Sequence, residues 1–326
     1  MSAVTAYTKW TLVDVAKSID PNGNMAVIAE ILNQDNPILQ DCPWVMANNL
    51  TSHRITRRLS LPGGTWRRFN EGVSPNKGTK IQVDEPMGML TAYSEADKDL
   101  VNMCPNPAQA RMDEARAHLE GLSQELAGTL FYGNNGTDPE EFDGLAVRLG
   151  SLDATHLVRG AGGSSNLSSV YVVQWGIGKV YMIYPRSHKT AGIVHEDLGE
   201  QTKEDSNGKL MQVYRDRYVV HCGLAVGDSR CIARLANIDT TAAAGASYSF
   251  DEDDIIKMLN RMPMEGAGAT IYVHAEIKSQ MEIKLKDKAN VNFTVDAGLG
   301  GMPVLRFRGL PVKVCQGILT SETAIT

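Results

Sequence analysis

The chain is short of cysteine, of histidine and of positive charge, and it has no apolar run long enough to cross a bilayer. Its five cysteines, Cys42, Cys104, Cys222, Cys231 and Cys315, are odd in number, far apart and free of any C-x-x-C pair. That excludes a disulfide scaffold and a cysteine zinc site, and the thiols read as buried and reduced. Three of the seven histidines, His188, His195 and His221, share a β-rich stretch, but none stands at the i, i+4 spacing of paired ligands. No metal is expected from them. The apolar stretch from Met25 to Leu32 is broken by Glu30 and too short to span a membrane, and the first thirty residues lack a basic-then-apolar secretory pattern. A reducing cytoplasm is therefore expected. The Asn-x-Ser/Thr triplets at Asn49, Asn135, Asn166 and Asn292 should be silent there.

Catalytic signatures are missing as well. The sequence contains no H-E-x-x-H, P-loop, G-x-S-x-G or G-x-G-x-x-G after a strand, so no catalytic, cofactor-binding or metal residue is assigned and the chain is not expected to be an enzyme. Asp251, Glu252, Asp253 and Asp254 could hold a divalent cation, as in a metal-dependent hydrolase. They read better as acids in the first turn of a helix, facing its positive end. The cluster Gly160 to Gly163 opens no helix and reads as a loop rather than a phosphate cradle.

Lys and Arg number 32 against 38 Asp and Glu, giving a net charge of −6 and a pI near 5.7. A surface built throughout for a polyanion is excluded. The positive charge that is present is concentrated: between His53 and Lys80, Arg54, Arg57, Arg58, Arg67, Arg68, Lys77 and Lys80 face one acid, Glu71. With this window at +6 and the whole at −6, the remainder carries −12.

A chain of 326 residues with 43% hydrophobic content can bury a large core. Residues 1–50 are rich in turns, with only a short helical pattern from Asn24 to Leu32, and read as an arm that needs another surface. From Ser52 the pattern turns to strand: "HRITRRLSL", a turn at "PGG", a second strand "TWRRF", the turn-rich "EGVSPNKGT", and strand again from Lys80 to about Tyr93. A long hairpin of two wet strands is marginal alone, so it must lean on a neighbour in its own chain or in another. The clearest helix runs from Pro107 to Tyr132. Asn106 supplies the cap, Pro107 the first position and Gln109 a capping-box partner; Met112, Ala115, Leu119, Leu122, Leu126 and Leu130 form an apolar stripe ending at Gly133. That stripe suits packing on a sheet of the same chain better than a coiled coil, given Gly121 and Gly128 within it. Strands "SSVYVVQWG", "GKVYMIYP" and "KLMQVYRDRYVVHCGLAVGDSRCIARLANI" follow. After the joint "TTAAAGAS" come helix "DEDDIIKMLNRM", strand "ATIYVH", helix "EIKSQMEIKLKDK" and closing strands "PVLRFRGLPVKVCQGI". Strands and helices mix without βαβ alternation, so the class is α+β.

The order of arm, arginine-bearing hairpin with "FNEGV", "YSEADKDL" and long capped helix resembles the major capsid proteins of tailed bacteriophages, the HK97-type (Johnson) fold, with the closest likeness to short-tailed phages. The pieces "IYP", "EDLGE" and "RCIARLANID", and the later "FDEDDIIKMLNRMP" and "FRGLPVKVCQGIL", extend that resemblance over nearly the whole chain. It implies an N-terminal arm (1–50), an extended loop (51–98), a peripheral domain (99–239) with a spine helix at 107–132, and an axial domain (240–326). The strand resembling "VGDSRCIARLANI" usually closes such chains; here it precedes the axial segment, so rearranged connections are implied. The implied function is a self-assembling shell subunit, forming hexamers and pentamers of an icosahedral head in the virion, assembled in the host bacterial cytoplasm. Implied partners are further copies of the chain, packaged double-stranded DNA without tight binding, and accessory cement, scaffold and portal proteins; no membrane and no cofactor is implied. Arg54, Arg57, Arg58, Trp66, Arg67, Arg68, Phe69, Lys77 and Lys80 are then candidates for contact between subunits, since guanidinium groups pair well with carboxylates of the acidic remainder. A competing expectation is a nucleic-acid-binding module, in which the same arginines and the aromatic pair would form a stacking platform.

Overall fold

The computed structural model describes residues 34, 36–151, 155–160, 166–188, 191–204, 208–242, 246, 248–286, 292–297 and 303–325. The expected helical pattern from Asn24 to Leu32, most of the arm and three residues of the Gly160 to Gly163 cluster lie outside these. In chain order the elements are α1 (Ile38–Asp41), β1 (Trp44–Met46), β2 (Ser52–Arg58), β3 (Lys80–Pro86), β4 (Gly88–Asp97), α2 (Lys98–Asn102), α3 (Pro107–Tyr132), α4 (Leu145–Arg148), β5 (Leu157–Arg159), β6 (Leu167–Val173) and β7 (Val180–Tyr184). They continue with β8 (Ile193–Glu204), β9 (Leu210–Val226), β10 (Ile232–Asp239), α5 (Glu252–Arg261), β11 (Thr270–Val273), α6 (Ala275–Leu285), β12 (Phe293–Ala297), β13 (Pro303–Phe307) and β14 (Leu310–Val314). The described residues form two compact units, one of 34, 89–126 and 191–221, the other of 36–88, 127–188 and 222–325.

In the first unit β8 pairs antiparallel with β9 from Ile193↔Val220 to Glu204↔Leu210, and β9 also borders β4. Helix α3 has the expected bounds. The Asn106 side chain accepts from the Gln109 N–H at 3.2 Å, capping it, while Gln109 donates its own amide to Asp113 at 2.9 Å instead of reaching back to the cap. Leu122 and Leu126 of its apolar stripe are buried, but Met112 and Leu119 are exposed.

The second unit is built on a seven-stranded sheet in the order β12-β13-β14-β11-β6-β10-β5. All seven residues of β6 are buried, as a strand flanked on both edges and covered on both faces requires. Helices α5 and α6 cover the sheet with Ile255, Met258 and Leu259, and with Ile277 and Met281, against Val170, Val172, Leu235, Ile271 and Phe307. Asp251 caps α5 by accepting from the Asp253 N–H, and Asp254 pairs with Lys257 at 2.9 Å, so both acids take part in the helix end. Strands from both sides of residue 240 share this sheet. Residues 36–46 also belong to the second unit: Ile38 is fully buried and β1 runs parallel to β7.

Two strand readings need correction. "TWRRF" is not a strand; β2 pairs with β3, Ser52↔Pro86 through Arg58↔Lys80, and 59–79 form one long connection. Among the described residues no strand pairs with "TWRRF", and extended residues without a ladder are not a strand. Strands β8 and β12 were not expected from pattern: β8 is largely exposed, with acids at Glu196, Asp197, Glu200 and Glu204, so it lacks an apolar face.

Candidate functional site

The strongest concentration of charge and exposed aromatic surface is the β2–β3 hairpin with its connection. Ile55 packs with Val45 and Met87 against Tyr181, Ile183 and Ala225 at the hairpin's root. His53 accepts from the Asn48 N–H at Nδ1 (3.3 Å), so its proton sits on Nε2 and is donated to the Tyr181 hydroxyl at 3.0 Å. Burial holds the imidazole below its ordinary pKa, partly offset by the charge of Glu85. That keeps the ring neutral in this arrangement.

Across the hairpin Arg54 makes a two-pronged pair with Asp84, 2.7 and 2.8 Å, and its guanidinium holds the exposed carboxyl below the usual range. Glu85 is different: its side chain is only 3% exposed. Arg148 of α4 grips both its oxygens, at 3.0 and 2.7 Å, and Arg57 approaches Oε1 at 3.2 Å. The two arginines also donate to β9 backbone, Arg148 to the Leu224 carbonyl at 3.0 Å and Arg57 to that of Val226. A buried carboxylate with two cations and filled lone pairs avoids the cost of an unpaired buried charge.

Beyond this root the chain changes character. From Arg58 to Gln82 every residue except Gly78 is exposed. Trp66 and Phe69 are exposed to 102% and 97%, so nothing in the described chain covers either ring. Arg67 donates to the Glu71 carbonyl at 2.9 Å, inside the connection itself. Arg58, Arg68, Lys77 and Lys80 have no side-chain partner among the described residues. Of the nine candidate residues, therefore, Arg54 and Arg57 are paired to carboxylates of their own hairpin and Arg67 to its own loop. The structure leaves Arg58, Trp66, Arg68, Phe69, Lys77 and Lys80 with nothing to hold. Sequence reasoning missed Asp84, Glu85 and Arg148. The acids were visible in "QVDEP", but their role depends on the β2–β3 register and on a residue 63 positions later in the chain.

Of the three histidines, His195 and His221 lie in the first unit. His195 lies 3.0 Å from Asp216 and stacks on Tyr218, on which His118 also stacks. His188 belongs to the other unit. Among the described residues no group of His, Cys, Asp and Glu has the arrangement of a metal site.

Against known proteins, the family described as major capsid protein GP7 matches residues 20–326. Among solved structures the chain is similar to one of bacteriophage Epsilon15, at 28% identity and a TM-score of 0.78, covering 99% of each chain. It also matches a bacteriophage JBD30 capsid structure (9% identity, 90% of this chain and 95% of that one, TM-score 0.52). A third likeness is the SrpI encapsulin of Synechococcus elongatus PCC 7942 (10% identity, 67% and 93% covered, TM-score 0.50). At such low identities the last two speak to the fold. Comparison with curated proteins gave no match.

Proposed function

The chain belongs to the major capsid protein GP7 family, with an HK97-like fold and a structural role in a phage shell, and we propose that the connection from Arg58 to Gln82 is the surface by which one subunit holds the next. The observation that carries this is the stripped tip: Trp66 and Phe69 fully exposed beside unpaired Arg58, Arg68, Lys77 and Lys80. Two bare aromatic rings in water forgo the stabilisation that burial of their surface would bring, several kcal/mol in all at ~25 cal/mol per Å². In an assembly they become anchors, and the cations around them find carboxylates on an acidic neighbour.

On this reading the copies form hexamers and pentamers of an icosahedral head, assembled in the host cytoplasm around or ahead of double-stranded DNA, with scaffold, portal or cement proteins as accessory partners. The acidic remainder of the chain supports a lining that does not grip the packaged DNA. We read 51–98 as the extended loop and α3 as the spine helix. The shared seven-stranded sheet supports counting β5, β6 and β10 with the axial segment 240–326 rather than with the peripheral domain. Arg54, Arg57 and Arg67 serve the loop's own structure, and the remaining six candidates serve the contact.

The test replaces Arg58, Arg68, Lys77 and Lys80 together by Ala and examines the expressed protein by electron microscopy and sedimentation. The expected result is at least a tenfold loss of closed shells with an unchanged circular-dichroism spectrum. Normal shell yield would overturn the reading, as would salt-sensitive micromolar binding of DNA by the wild-type subunit that the variant loses while still assembling.

A further inference from the structure

We infer that Glu85, clamped between Arg57 and Arg148, is a positioning residue that sets the direction in which the loop leaves the body of its subunit; this rests on the reading of the loop as the intersubunit contact. Four attachments converge where the hairpin begins. Glu85 on β3 is held by Arg148 from α4, and Arg57 on β2 by Glu85 and the Val226 carbonyl. Ile55 and the His53–Tyr181 bond fasten β2 to β7. At Gly223 of β9 the Pro86 carbonyl comes so close that an added Cβ would stand 2.5 Å from its oxygen, so this end of β3 lies flush on β9. Past these points, from Arg58 to Gln82, the described hydrogen bonds are made within the strands and the loop themselves: the end of the ladder and the Ser60–Thr79, Asn76–Gly63 and Arg67–Glu71 bonds.

The geometry is that of a lever with a stiff root. Strand β2 is pinned at His53, Ile55 and Arg57, nearly its whole length, so any slackening of these contacts is passed on to the connection that starts at Arg58 and to the aromatic anchors it carries. Among the root contacts the carboxylate is the one that ties all three parts. Its two oxygens join β3 to α4 and to β2, and through the arginines to β9 at Leu224 and Val226. Planar guanidinium forks restrict orientation as well as distance, which a lone apolar contact such as Ile55 does not.

The test uses Glu85→Gln in the full chain, with a thiol-reactive fluorophore at Thr65→Cys; the five native cysteines are buried and leave that position selectively labelled. Glutamine keeps the shape but cannot satisfy both arginines. Well below the unfolding midpoint, the label's anisotropy should fall clearly in the variant, and shells that form should spread in diameter at least twofold relative to wild type. A role confined to stability would lower the unfolding midpoint and leave the anisotropy where it was, which overturns the inference. If Glu85→Gln does not fold, Arg148→Lys carries the same test, since it retains the charge and loses the fork. Trp66→Ala distinguishes the two readings. If it assembles normally while Glu85→Gln loosens the label, the contact reading fails and the clamp survives as loop geometry alone. If Trp66→Ala blocks assembly and Glu85→Gln leaves both label and shells unchanged, the clamp fails and the contact stands.

Discussion

Replacing Glu322 by Ala should cost ~3–5 kcal/mol of subunit stability, the range for removing one member of a buried ion pair. The carboxylate is 4% exposed and its partner Arg234 6%, with Nη2 to Oε2 at 3.0 Å. Oε1 accepts the Tyr132 hydroxyl at 2.5 Å and that of Tyr171 at 3.3 Å, and Ser169 donates to Oε2. Burial, reinforced by the charge of Glu322 itself, pushes the Tyr132 and Tyr171 hydroxyls far above their ordinary pKa, so both stay donors. Without the carboxylate, Arg234 keeps the Ser169 hydroxyl at 3.0 Å, long carbonyl contacts, the nearer at 3.4 Å to Leu149, and the Tyr171 ring 5.4 Å from its guanidinium carbon, none of which carries a charge opposite to its own. Two tyrosines lose their acceptor at the same time, and a marginal total of ~5–15 kcal/mol makes such a loss easy to read. The assay is guanidinium unfolding of the dissociated subunit, with Glu322→Leu, Arg234→Met and the double variant Arg234→Met/Glu322→Leu run beside it as a cycle. The double variant should recover most of the loss, because no charge is then stranded. A single-variant cost of ~1 kcal/mol or less, or a double variant no better than the single one, would refute the reasoning.

Stability should also fall as pH is lowered from 7.5 to 5.5. His53, His156 and His274 are all held below their ordinary pKa, first of all by burial, so in this window the unfolded chain binds protons that the folded one refuses. Stability is fully present above the unfolded value of ~6.5 and declines below it towards the folded values. Unfolding curves at the two pH values check this, and a flat or rising stability contradicts it. The thiols should resist modification: Cys42 and Cys222 are pushed up to about 12 by burial, so Ellman's reagent at pH 8 should count fewer than one reactive thiol per folded subunit and all five after unfolding.

Local signals carried much of the architecture. Asn106, Pro107 and Gly133 bracket the long helix because capping is decided within a few residues, and the strands rich in Val, Ile and Tyr from 167 to 184 declare themselves by composition. What pattern could not reveal depends on register and distance. "TWRRF" has strand composition but no partner, and β8 has a partner but acid-rich composition. The half of the α3 stripe at Met112 and Leu119 stays exposed although its periodicity is the same as that of the buried half. The candidate site divides the same way. Its charge and its bare aromatics were evident from 28 residues of sequence, whereas the division between arginines held at the root and cations left open at the tip required Glu85, Asp84 and Arg148 to be placed in space.

The measurement that bears most directly on the contact is a near-atomic reconstruction of the assembled particle. The account predicts Trp66 and Phe69 buried against an adjacent copy, with carboxylates of that copy within ~4 Å of Arg58 and Arg68, the reach of an ion pair. A loop whose aromatic tip remains in solvent in the closed shell, or points at the packaged nucleic acid, would contradict it.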